Sequence, residues 1–236
     1  MVAEAVMRVP RRGVGKLLRA TSAGVVLLAL TACTARVPPD PNQPQVDVLG
    51  SMMASEAETN TIMGTIDTIR PKTALRAPMK NDLFEPLSRP ECIVAIGNAM
   101  DWVYRDSGYR RFRETQFADE AGLVEVDQAI TAFDSPQAAR VLVTRTVDIW
   151  RRCGAGTLTL SYDRGQTLKS RLMAVPSVVD GIDLTRDAPG SGTGFITHRA
   201  IVAVDNMVVD LRVSDTSADD SKTLQLAKTI ANRNAL

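Results

Sequence analysis

Histidine is almost absent from this chain: 236 residues contain one, His198, and only three cysteines, Cys33, Cys92 and Cys153. A lone histidine does not build a histidine-rich metal site, and three thiolates fall short of an all-cysteine zinc site. Aromatic residues make up only 4% of the chain. No excess of either charge is present, with 28 Lys and Arg against 27 Asp and Glu, a formal net charge of +1. A general nucleic-acid binder carries a basic excess, so no nucleic acid is expected as a partner. Apolar residues at 44% and charged residues at 23% give the balance of an ordinary folded chain. Nothing in the composition asks for a metal or another cofactor.

The near-zero charge conceals an asymmetry. Residues 1–32 hold five bases, Arg8, Arg11, Arg12, Lys16 and Arg19, against one acid, Glu4. An apolar run, Ala23 to Leu30, follows this basic head. As a helix it rises about 12 Å, too short for a bilayer core that takes about 20 residues, so it reads as the apolar part of an export signal. No other segment is long and apolar enough to cross a membrane. The run ends Leu30-Thr31-Ala32-Cys33, which resembles a lipobox, the cleavage and modification site of bacterial lipoproteins. The resemblance implies a signal peptide over 1–32 and a diacylglycerol thioether on Cys33, which becomes the mature N-terminus and anchors the protein at the outer face of the cytoplasmic membrane. Two acyl chains hold stably where one is marginal. The Arg11-Arg12 pair invites a twin-arginine reading, but Gly13-Val14-Gly15 follows it where an apolar pair belongs.

Residues 33–46 contain Pro38, Pro39, Pro41 and Pro44 in a polar stretch. Such a segment favours extended polyproline II and spans roughly 40 Å over about 12 residues. One domain is expected over 47–236, of α+β class: a mostly antiparallel sheet flanked by helices, with a cleft. The spacing predicts helices over Val48–Met63, Glu91–Arg105 and Pro136–Arg152, the last with Ser135 as N-cap and Pro136 at its first position. Asp67–Pro90 reads mostly as loop. Strands are predicted over 111–118, 124–133, 157–162, 168–175, 195–204 and 207–213, with Asp205-Asn206 as a hairpin turn. Ser217 or Asp215 is expected to cap a final helix burying Leu224, Ala227, Ile230 and Ala231.

With Cys33 assigned to lipid, Cys92 and Cys153 remain. An exported protein occupies a compartment where disulfides persist, and an even remainder is what a bridge requires; the alternative is a pair of buried free thiols. Pro90-Glu91-Cys92, Phe133-Asp134-Ser135-Pro136-Gln137-Ala138-Ala139 and Trp150-Arg151-Arg152-Cys153 resemble, in order and spacing, the PknH-like sensor domain of mycobacterial kinases and lipoproteins. Met63-Gly64, Arg199-Ala200, Asn206 to Asp210 and Ile230-Ala231 extend the resemblance over 47–236. It implies an α+β domain with a cleft for an envelope ligand, small molecule or partner. The scarcity of His and Cys leaves no spare nucleophile or base, so binding is expected rather than catalysis; the alternatives are an accessory protein for envelope lipid or protein partners, or an envelope hydrolase. Relatives often carry a second disulfide late in the domain; the corresponding positions here read as His198 and Ser214. The residues given contain neither His-Arg-Asp nor Asp-Phe-Gly, so no kinase catalytic loop accompanies the domain.

Other chemistry is weaker. Gly190-Ser-Gly-Thr-Gly194 precedes a strand, whereas a phosphate loop opens a helix. A Ser-His-Asp site has only His198 to use, and that residue falls mid-strand. Arg105, Arg110, Arg111 and Arg113 beside Tyr104, Tyr109 and Phe112 suggest either an anion site or a solvated face neutralised by Asp101, Asp106 and Glu114. Asp180, Asp183 and Asp187 miss the EF-hand spacing and read as turn acids. Trp150 is placed over the cysteine pair. No catalytic, metal or ligand-binding residue is assigned. Mass spectrometry of the protein taken from its own envelope should find a mature chain that begins at lipid-modified Cys33, and Cys33→Ser should shift it out of the membrane fraction. A mature N-terminus elsewhere, without lipid, would remove the anchor.

Overall fold

Period-two alternation along β-strands decides this architecture, because strands in the middle of the sheet bury side chains on both faces. The computed structural model describes residues 47–80, 84–162, 167–192, 194–217 and 219–234. The export signal, Cys33 and the proline-rich tether lie outside the described residues. The order is α1 (Val48–Met52), α2 (Glu56–Met63), β1 (Arg70–Leu75), β2 (Phe84–Pro86), a 3-10 turn (Pro90–Cys92), α3 (Ile93–Ile96), α4 (Asp101–Tyr104), β3 (Arg111–Ala118), β4 (Glu125–Ala132), α5 (Pro136–Cys153), β5 (Thr157–Tyr162), β6 (Thr167–Met173), β7 (Ser177–Val179), β8 (Ile182–Pro189), β9 (Ile196–Val204), β10 (Met207–Asp215) and α6 (Ser221–Asn234). The strands form one sheet in the order β1-β3-β4-β10-β9-β8-β6-β5-β2, with β7 paired to β8. Every described strand pair is antiparallel.

Helices cover both faces. On one, α1, α2 and α6 bury Leu49, Met53, Leu226 and Ile230 against Val126, Ile130, Val209, Leu211 and Val213. On the other, α3, α4 and α5 bury Val94, Val103, Leu142 and Trp150 against Phe112, Ala129, Ile201 and Val208. A disulfide joins Cys92 to Cys153 with a Cα–Cα separation of 5.6 Å, fastening the 3-10 turn to the end of α5. On loop-closure entropy, a bridge across 61 residues contributes roughly 4 kcal/mol. Arg89 seals the same corner by donating to the carbonyls of Arg152 and Cys153, where a cation suits a helix C-terminus. Gly156 admits that guanidinium, since a Cβ there would collide with it.

Local signals explain most element ends. Ser55 and Glu58 form a reciprocal capping box on α2, and the Ser135 hydroxyl accepts from the Ala138 amide at the start of α5. Several boundaries differ from the sequence expectation. The first helix is two, because Ser55 starts a new one. The second expected helix, Glu91–Arg105, breaks at Gly97–Met100, where the Met79 amide donates to the Ala99 carbonyl and the Asp101 amide to the Met79 carbonyl. Asp67–Pro90, expected mostly as loop, holds two strands, β1 and β2. β1 is an exposed edge strand with a register shift beside Pro71, a place where a missing N–H is tolerated and apolar alternation is lost. Asp180, Asp183 and Asp187 belong to the β7–β8 hairpin, which turns at Asp180-Gly181 with both φ positive. The last helix begins at Ser221, later than expected, where the Asp219 carboxylate accepts from the Ser221 amide at 2.9 Å.

Candidate functional site

The face under α3–α5 changes character along its strands. On β10 the side chains of that face run Val208, Asp210, Arg212, Ser214; on β4 they run Thr131, Ala129, Asp127, Glu125. The helices cover the apolar end and stop at a fully buried ion pair. Arg199 donates to Asp210 at 2.5 Å, and neither side chain has any exposed surface. The same guanidinium donates to the carbonyls of Val94 and Gly97 at 2.6 and 2.8 Å and lies 5.1 Å from the Trp150 ring centre. The second Asp210 oxygen accepts from the Tyr104 hydroxyl at 2.9 Å. Burial, then the Asp210 carboxylate, raise the Tyr104 pKa well above its usual value, so this hydroxyl remains a donor.

Beyond that pair the same face is open, and a cavity of about 750 Å3 lies over it. Two charged arrangements form its floor. Arg212 meets Asp127 at 2.7 Å and Glu125 at 2.8 Å. Burial opposes the Arg212 charge, but Asp127 and Glu125 outweigh it and raise its pKa. Arg171 pairs with Asp187 and donates to the Phe195 carbonyl and the Thr197 hydroxyl at 3.2 Å. Lys169 sits 4.7 Å from the Tyr162 ring centre on the far wall. Glu114 stands apart. It is 1% exposed, one oxygen accepts from the Gln116 amide at 3.2 Å, and Oε2 has no hydrogen-bond partner among the described residues. Burial first, and the Asp127 carboxylate second, push its pKa up to about 8.

The residues singled out in the sequence scatter. Arg105 pairs with Asp101, Arg110 with Asp134 and Arg113 with Asp47, so the basic cluster divides into separate surface pairs rather than a single anion site. Glu114, read from sequence as an acid of that face, points instead to the cavity. Asp180 pairs with Lys228 and Asp187 with Arg171; among the described residues no group of three His, Cys, Asp or Glu is placed to hold a metal ion. The Gly190–Gly194 segment joins β8 to β9, and Phe195 just beyond it lines the cavity. Trp150 is buried in the cluster that contains Cys92 and Cys153. His198 and Ser214 do not face each other as a lost disulfide would require. In the β9–β10 register His198 opposes Val213 and Ser214 opposes Thr197, which sends the two side chains to opposite faces.

Sequence reasoning missed Glu114, Asp127, Lys169, Arg171 and Arg212 as one site. The available signal was a run of polar residues at alternate positions of otherwise apolar strands.

The solved extracellular domain of PknH from Mycobacterium tuberculosis superposes with a TM-score of 0.71 at 20% identity, covering 78% of this chain and 93% of that one. The fold is thus that of an α+β domain with an antiparallel sheet flanked by helices, shared with the extracellular domain of PknH. The chain belongs to the family of PknH-like extracellular domains, whose description matches residues 44–233. The serine/threonine-protein kinase PknH of M. tuberculosis is 26% identical over 196 residues, covering 79% of this chain and 30% of the kinase. PknJ of the same species is 32% identical over 109 residues, covering 46% of this chain and 18% of that kinase. The chain therefore spans less than a third of the length of the curated relatives it matches.

His198 lies on the face of the sheet opposite the cavity, under α6. Its Nδ1 meets Asp220 at 2.5 Å and its Nε2 meets the Ser217 carbonyl at 2.9 Å, with Asp215 at 4.0 Å. Lys222 lies 3.9 Å from Asp215, and Arg186 is the β8 partner of His198 in the sheet. Burial alone lowers the imidazole pKa; the Asp220 carboxylate and the Ser217 carbonyl outweigh it, so the pKa sits above its ordinary value. A raised pKa stabilises the fold fully below about pH 6.5, and the gain disappears as pH climbs through the folded value. Asp220→Asn should cost about 2 kcal/mol at low pH and flatten the pH dependence above about pH 6, measured by urea unfolding.

Proposed function

We propose that this chain is an exported envelope protein, anchored by lipid at Cys33, whose domain binds a ligand in the cavity and performs no chemistry on it. The carrying observation is the half-covered sheet face. The helices stop at Arg199–Asp210 and leave a recess of about 750 Å3, within the volume range of small-molecule sites. Its floor charges are mutually neutralised, Arg212 by Asp127 and Glu125, and Arg171 by Asp187. Rigid paired groups suit recognition. The one histidine lies on the opposite face, engaged with Asp220, so it does not serve as a base in the cavity. Membership of a family of extracellular kinase domains supports a place outside the cytoplasm and a sensing type of role.

Native mass spectrometry of the protein isolated from its own envelope tests this reading. A retained small molecule, lost on Tyr162→Ala and Lys169→Glu at the far wall, is the expected result. A cavity that returns empty and ignores envelope extracts, or reproducible hydrolytic turnover by the purified protein, contradicts it.

A further inference from the structure

Among the described residues of the cavity floor, Glu114 is the one charged-type side chain that lacks a counter-ion. Its carboxylate neighbours are Asp127 on β4 and Asp210 on β10. The guanidinium groups nearby are committed, Arg212 to Asp127 and Glu125 and Arg199 to Asp210, Val94 and Gly97. Lys72 on the edge strand is exposed at the rim. Gln116 satisfies one Glu114 oxygen and leaves Oε2 open. An unpartnered buried polar oxygen carries a cost, and a buried carboxylate without a counter-ion carries a larger one.

We infer that Glu114 is the recognition point for a single organic cation, a primary ammonium or guanidinium group, on the ligand that the cavity takes. The inference rests on the proposed ligand-binding role. Three observations select this chemistry. The charges that act on Glu114 are two carboxylates, Asp127 and Asp210, against one guanidinium, Arg212, so an anion beside this carboxyl is disfavoured. No three of the described carboxylates, histidines or cysteines converge to hold a metal ion, so the guest is a group that needs only one or two carboxylates. Met79, Ile96 and Met100 line the same cavity, a wall for an apolar body that carries the charge. In the empty cavity the carboxyl holds its proton. An arriving ammonium ionises it: the proton leaves for water, and the carboxylate accepts the N–H through Oε2. Binding therefore releases one proton.

Titration calorimetry of the full chain with n-butylammonium, n-butanol and butyrate tests this. The three probes share one apolar length and differ in charge. n-Butylammonium alone should bind, releasing close to one proton at about pH 7, with affinity rising about tenfold per unit from about pH 6 to about pH 7. Glu114→Gln should weaken it at least tenfold and abolish the proton release. Equal binding of the neutral or anionic probe overturns the inference, as does n-butylammonium binding without proton release in the unaltered chain. Binding that survives Glu114→Gln but is lost with Lys169→Glu also overturns it, while leaving the cavity as the ligand site. If none of the three binds, the inference fails, and the retained-ligand experiment judges the wider reading separately.

Discussion

The buried ion pair between Arg199 and Asp210 is the constraint on which the rest of this domain depends. Both groups are wholly removed from water, so neither is tolerable alone; removing one partner of such a pair costs about 3–5 kcal/mol. Their remaining bonds reach into separate elements. Arg199 holds the carbonyls of α3 and its exit, Asp210 holds the Tyr104 hydroxyl of α4, and Trp150 of α5 stacks beside the guanidinium. Three short or amphipathic helices are thus fastened at two neighbouring rows of the sheet. The planar fork of arginine suits this task, since it offers several donors at fixed angles.

The border between core and cavity runs between those two rows. On one side the strands present Val208, Ala129 and Ile201 to the helices; on the other, Arg212, Asp127 and Thr197 face the open space. Charges along the open half are matched pair by pair, which limits the cost of partial burial. Glu114 breaks the pattern, with its pKa at about 8 and one free oxygen. A site whose other charges are already balanced takes its selectivity from the group that is not.

Much of the scaffold was legible in the sequence and much of the site was not, for physical reasons. Caps with short-range partners, such as Ser135 before Pro136, gave α5 its start, and the alternation of β4 and β10 gave both strands. β1 escaped because an exposed edge strand shows no alternation. The break at Gly97–Met100 escaped because it depends on Met79, far away in the chain. The cavity escaped because it exists only once register aligns Gln116, Asp127, Arg212 and Arg199 in one row. Glu114 and the arginines beside it looked like one surface patch in sequence; alternation sends Arg111 and Arg113 to one face and Glu114 to the other.

Hydrogen exchange on Asp210→Asn tests the central claim most directly. If the ion pair fastens the helices and thereby shapes the cavity, amides of residues 93–104 should lose protection while the central strands β4, β9 and β10 keep theirs. Unchanged protection over 93–104 would contradict the account.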